Sequence, residues 1–269
     1  MSTNGLLRDW RAVRKVDAHM HVPSPLSPAP GFERTGVIAA ADRLGIEVMW
    51  ISVPITAGRM APIEEVRRCN DAVLDALRQY PDRFRGYCFL IPGNEDEWRG
   101  ELARCLDGGM SGIKLYNQYK YSDPVLFPIA ETAIEHGIPI LGHAGHPMDP
   151  GTREAQPYIS DASDFCALAR KYPEVTLIEG HINGGGEWEW SLKQLRDCPN
   201  VVLDTSGSNM DAGTIERCVA ELGADRVLFA TDMSMEAGVG KVLAADLSDA
   251  DREKLWHGNM TRIEGLRKV

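Results

Sequence analysis

The chain has 269 residues, 43% hydrophobic and 25% charged, a balance that argues against a disordered segment and leaves enough chain to bury a core without covalent staples. Its formal net charge is −10, from 29 Lys+Arg against 39 Asp+Glu. That speaks against nucleic acid or an anionic membrane as partner, because both need a basic face. A small-molecule substrate is the expected partner, with self-association into a homo-oligomer left open.

The opening stretch from Met1 to Trp10 lacks the apolar run of a signal peptide. No later stretch approaches the ~18 uncharged apolar residues of a membrane span. A cytoplasmic protein is expected. Its six cysteines, Cys69, Cys88, Cys105, Cys166, Cys198 and Cys218, are scattered and form no C-x-x-C pair, so they read as buried reduced thiols.

In chain order, short runs rich in Val, Ile and Leu predict strands at Lys15–Val22, Val48–Val53, Arg85–Ile91, Gly112–Tyr116, Ile138–Ala144, Val175–His181, Val201–Ser206 and Val227–Asp232. Between them, apolar residues spaced by three and four predict helices. One stripe is Val66, Cys69, Val73, Leu74 and Leu77 before Pro81; another is Trp98, Leu102, Cys105 and Leu106 before Gly108. Leu126, Ile129, Ala133 and Ile134 precede Gly137; Phe165, Leu168, Ala169 and Tyr172 precede Pro173; Ile215, Cys218, Val219 and Leu222 precede Gly223.

Helices exit to strands through links as short as Gly137-Ile138-Pro139, whereas strands exit to helices through longer loops such as Gly145–Ser160. Roughly eight such units in one domain, residues 1–269, predict a single (β/α)8 TIM barrel with its active site at the C-terminal ends of the strands. A doubly wound open sheet is the rival, but no Gly-rich phosphate fingerprint follows its first strand. The segments Gly184-Gly185-Gly186 and Gly238-Val239-Gly240-Lys241 look like phosphate loops only superficially: the second lacks the leading Gly and the following Ser/Thr, and neither is placed correctly.

Histidine placement carries the chemistry. His19 and His21 are two apart on the first strand, so their imidazoles share one face and point together into the mouth. His143 ends the fifth strand, His181 the sixth and Asp232 the eighth. Each alone is as well explained by a satisfied core polar residue, but five such residues at strand ends point to a borderline divalent cation held by N and O donors. Zinc is the default choice; iron, manganese and nickel are open.

The ordered motifs Asp17-Ala18-His19-Met20-His21, Gly112-Ile113-Lys114-Leu115-Tyr116, Gly142-His143-Ala144-Gly145, Gly180-His181-Ile182-Asn183-Gly184-Gly185 and Phe229-Ala230-Thr231-Asp232 resemble the amidohydrolase superfamily, closest to its amidohydrolase-related family-2 branch. The tail Trp256-His257-Gly258-Asn259-Met260-Thr261-Arg262-Ile263 is similar to that branch's closing segment. The resemblance implies one divalent ion held by His19, His21, His143 and Asp232, with His181 as the catalytic imidazole and Asp232 as proton carrier. Lys114 lies where some relatives carry a carbamylated lysine bridging two ions; an unmodified lysine binding a substrate carboxylate is the other use of that position.

Other residues are weighed in the same way. His146 and Tyr116 are candidate substrate contacts, while His136 and His257 read as structural. Glu179 shares strand parity with His181 and is expected either to support that imidazole or to pair with a buried cation. Tyr119, Tyr121, Trp188 and Trp190 flank the mouth as pocket walls or packing residues. Arg59, Lys120 and Arg153 sit in strand-to-helix loops as candidate anion binders or solvated charges. The leading functional expectation is a metal-dependent hydrolase acting on a lactone or amide. The alternative, known in the same branch, is a non-oxidative decarboxylase of an aromatic or dienoic acid, disfavoured by the short linker Val22–Phe32. A non-catalytic metal-binding protein is the third reading.

Overall fold

The computed structural model describes residues 9–29, 32–185, 188–209 and 211–268; residues 1–8, part of the linker after the first strand and Gly186 of the glycine run lie outside them. Eight parallel strands pair in chain order: β1 (Lys15–His21), β2 (Ile46–Ser52), β3 (Phe84–Phe89), β4 (Gly112–Leu115), β5 (Ile140–Gly142), β6 (Leu177–Glu179), β7 (Val201–Asp204) and β8 (Val227–Leu228). The last strand returns to the first. Ala18 N–H donates to Phe229 O at 3.0 Å, and Asp232 N–H donates to His19 O at 2.8 Å. The architecture is the (β/α)8 barrel.

All five apolar stripes form helices, at Ile63–Gln79, Glu95–Asp107, Phe127–His136, Ala162–Lys171 and Thr214–Leu222. Val66, Cys69, Val73 and Leu74 are buried, as their spacing requires. The six cysteines are buried and unpaired. Among the described residues no helix is long and apolar enough to cross a membrane.

Two clusters fill the molecule. One lies inside the cylinder and joins Val16, Ala18, Trp50, Tyr87, Ile178 and Leu228 with Met260 and Ile263 of the last helix. The other packs the outer faces of the strands against the helices and includes Ile113, Leu115 and Leu177. The closing segment anchors to the start of the eighth strand and the turn before it: Asn259 Nδ2 donates to Ala224 O and Val227 O, and Arg262 donates to Asp225 O.

The later strands are shorter than the sequence predicts, because the chain leaves the ladder before its polar residues. His181 has φ 75° and Asp232 φ 44°, left-handed conformations that cost a side-chain-bearing residue roughly 1–3 kcal/mol each. Both turns are held by hydrogen bonds that their amides donate, to Asp204 Oδ1 and His19 O respectively. Strand β1 has its own irregularity, a register shift between Asp17 and Met20. Val16 and Ala18 face the interior, and the extra residue of this bulge lets His19 and His21 also turn toward the axis.

Candidate active site

The two β1 histidines are held in one tautomer each. His19 is fully buried, and its Nδ1–H donates to Asp204 Oδ2 at 2.9 Å. His21 Nδ1–H donates to Ser52 O at 3.0 Å. Both imidazoles therefore turn an unprotonated Nε2 toward the mouth, the arrangement of histidines oriented to bind a metal. Lys114 Nζ donates to His19 Nε2 at 3.0 Å.

His21 Nε2 meets Asp232 Oδ1 at 3.0 Å, and His19 Nε2 lies 3.9 Å from the same oxygen. Two lone-pair atoms do not approach to 3.0 Å unless a proton or a cation lies between them. One ligand atom from each of His19, His21 and Asp232 lies within 4.8 Å of the others. Two imidazole nitrogens and a carboxylate are a fitting donor set for a borderline divalent cation.

Asp204, at the end of β7, is a residue that histidine-centred reading passes over. It is fully buried and accepts four hydrogen bonds: His19 Nδ1–H, the amides of His181 and Ser206, and Ser206 Oγ–H. Burial alone would raise its pKa; the His19 hydrogen bond and the surrounding imidazoles outweigh that and hold it well below the usual carboxylate range. A visible signal existed, since Asp204 ends its strand as the expected site residues end theirs.

An ionised Asp204 settles the proton positions around it. Ser206 Oγ–H is spent on Asp204, so Ser206 Oγ accepts from His181 Nδ1–H at 3.0 Å. A neutral His181 then has an acceptor at Nε2, which takes the Nδ1–H of His143 at 2.9 Å. Burial lowers the pKa of both imidazoles, in keeping with the neutral forms. The expected four-residue ligand set thus divides: His143 pairs with His181 and stacks on Tyr116 with ring centroids 4.1 Å apart, rather than joining His19, His21 and Asp232.

Close packing makes this cluster possible. A side chain on Gly180 would meet Gly142 O at 2.8 Å and crowd His19 and Asp204. Gly207, at φ 90°, lies against the His181 backbone, where a Cβ would come within 2.8 Å of His181 O.

The electrostatics follow from burial. His19 is lowered to about 3, by burial first and then by the charge of Lys114. Burial lowers Lys114 itself to about 8 against the raising influence of Asp232 and Asp204. Burial would raise Asp232, but its contact with His21 and the other nearby imidazoles hold it well below the ordinary range. Asp17, which accepts from the Thr231 hydroxyl and amide, is pushed up to about 7 by burial.

Glu179 corrects a parity argument. It is on the side of Leu177, and neither carboxyl oxygen finds a hydrogen-bond partner among the described residues, although the charge of Arg226 reaches it. Burial raises its pKa to about 8. Parity fails because His181 has already left the extended conformation.

The mouth divides into two lobes that share His143 and Asp232. A cavity of about 320 Å³ is walled by Val22, Phe32, Val53, Pro54, Tyr116 and Met233. The other, about 500 Å³, is lined by His146, Asp149, Thr152, Ile159, His181 and Ser208. His146 reaches it while bonded to Asp161 Oδ2 at 3.0 Å. Of the other aromatics, Tyr121 stacks on Phe165 in the core, Trp188 bonds Asp211, Trp190 is exposed, and Tyr119 lines a separate cleft.

Comparison with known proteins places this geometry. The family described as Amidohydrolase matches residues 16–263. A gamma-resorcylate decarboxylase from Polaromonas sp. is 25% identical, over 84% of this chain and 86% of that protein. Among solved structures, 2,6-dihydroxybenzoate decarboxylase from Rhizobium superposes with a TM-score of 0.73 at 23% identity, covering 94% of this chain and 98% of the other. The 5-carboxyvanillate decarboxylase of Novosphingobium aromaticivorans, solved with bound manganese and a nitrobenzoic acid, gives 0.75 at 17% identity, covering 95% and 98%. At these identities the structural likeness speaks for the fold.

Proposed function

The chain belongs to the amidohydrolase family, and from that premise we propose that it is a metal-dependent, non-oxidative decarboxylase of an aromatic carboxylic acid. The observation that carries this reading is the position of the His19–His21–Asp232 cluster at the edge of an apolar, aromatic-walled cavity, with room for a ring beside the place for its carboxylate. Relatives that decarboxylate aromatic acids and align over most of both chains support it ahead of hydrolysis, the order opposite to that expected from the sequence. The short linker after β1 weighed the other way, but loops vary freely on this fold without moving the strand ends.

His19, His21 and Asp232 would hold the ion, with His143 lining the same lobes as Asp232; zinc and manganese both accept such donors. When bound, a divalent cation supplies Lewis-acid polarisation and orientation of the substrate carboxylate. Lys114 adds a buried positive charge on the inner side of the cluster. In the reaction the bond between the ring and its carboxylate breaks, carbon dioxide leaves, and the electron pair stays on the ring carbon. That carbon takes up one proton, so an acid anion and a proton become a neutral ring and carbon dioxide. Asp232, which lines both lobes, and His181, which lines the larger one and has Nδ1 3.6 Å from Asp232 Oδ2, would be the proton carriers. The apolar wall keeps water from the ring.

The test is carbon dioxide release from a panel of hydroxylated benzoic acids, with lactones and amides run beside them. Release that a chelator abolishes and a divalent cation restores is the expected result. Turnover of lactones or amides with no carbon dioxide from any acid would overturn the reading.

A further inference from the structure

The charge on the cavity walls narrows the substrate beyond its reaction class. Among the described residues, no lysine or arginine lines either lobe of the mouth. Of the loop cations, two are paired with carboxylates away from the lobes, and Arg153 is tied to the Pro147 carbonyl at the larger lobe, next to Asp149. Arg59 bonds Glu65 at 2.6 Å, Lys120 bonds Asp164 and Ile159 O at 2.9 Å, and Arg153 bonds Pro147 O at 2.6 Å. The charged side chains that do line the lobes are carboxylates, Asp232 in both and Asp149 in the larger. Positive charge is concentrated at one point, where Lys114 Nζ lies against His19 beside the candidate metal ligands.

A substrate carboxylate at that point is compensated. A second one, held at the far side of the ring, is not: in the smaller lobe it would be desolvated against Phe32, Val53 and Pro54, and in the larger it would face Asp149. Burying an anion without a partner is strongly unfavourable. Neutral polar substituents fare differently, because Ser24, Ser27 and Thr56 place hydroxyls among the apolar walls of the smaller lobe.

We infer that the substrate is a monocarboxylic ring acid whose other substituents are uncharged, with the ring seated in the lobe walled by Phe32, Val53, Pro54 and Tyr116. This rests on the decarboxylase reading for its reaction, but the binding preference can be measured apart from it.

The experiment compares benzoic acids of one skeleton that carry either a hydroxyl or a second carboxylate at the position remote from the reacting group. Binding to the metal-loaded enzyme is followed by calorimetry, and turnover by carbon dioxide release. The monoacid is expected to bind or turn over at least about 100-fold better than the diacid, the discrimination of an uncompensated buried charge. Thr56→Arg, which places a cation in the smaller lobe, is expected to narrow that ratio at least tenfold. Equal handling of mono- and diacids, or failure of both to bind, overturns the inference. Preferential binding of the monoacid with no carbon dioxide release upholds the inference and overturns the decarboxylase reading instead.

Discussion

His19 Nδ1 and Asp204 Oδ2 stand 2.9 Å apart in the buried floor of the site, while the other oxygen of the same carboxylate accepts the His181 amide at 2.8 Å. One side chain of β7 thus sets the tautomer of a candidate ligand on β1 and holds the strained turn that carries the imidazole after β6.

Asp204→Asn tests this. An amide offers one acceptor oxygen in place of two, and its NH2 facing His19 Nδ1 would drive the imidazole proton onto Nε2, where the metal should bind. Metal affinity is expected to fall at least about tenfold with unchanged circular dichroism, read by competition with a chromophoric chelator. Wild-type affinity in the variant would remove Asp204 from this role.

His19 and His181 should separate by function. His19→Asn is expected to lose metal and turnover together. His181→Asn should keep its metal after gel filtration and lose about 100-fold or more in kcat, the usual weight of a positioned proton carrier. Equal metal retention by the two variants would contradict the roles given to them.

Lys114 distinguishes one ion from two. One ion per chain is expected, with Lys114→Met leaving the count unchanged and raising KM for the acid about tenfold through loss of a point charge. Two ions in the wild type and one in the variant would establish a bridging, carbamylated lysine instead.

Glu179 predicts a pH dependence of stability. Its carboxyl titrates near 8 in the fold against an ordinary 4.5, so the folded chain keeps a proton that the unfolded chain releases between those values. The contribution is complete below about 4.5 and is lost as pH climbs to about 8. Glu179→Gln removes this pH dependence, which for such a shift spans at most about 5 kcal/mol. The urea midpoint of the wild type should therefore fall relative to the variant between pH 5 and 8. Parallel midpoints across that range would show that Glu179 finds a partner.

The barrel was legible in the sequence because parallel strands buried on both faces read as unbroken Val, Ile and Leu runs, and because each helix carries a single apolar stripe. The strand ends were less so. Asp17, His19 and His21 look alike in an alternating pattern, yet the bulge after Asp17 decides which of them face the axis. Parity tied Glu179 to His181, and the left-handed turn at His181 broke the tie. Spacing could bring His143 and His181 to one rim but could not foresee that their nitrogens would meet at 2.9 Å. Lys120 occupies a mouth loop in sequence, yet Asp164 and the Ile159 carbonyl hold its ammonium.

The seam between the first and eighth strands, where Asp232 N–H reaches His19 O, gives this site a birth order. A ribosome releases His19 and His21 long before Asp232 emerges, so a nascent chain would carry the two imidazoles of the candidate site without their carboxylate. Capture of an ion by all three would have to wait until the eighth strand docks on the first.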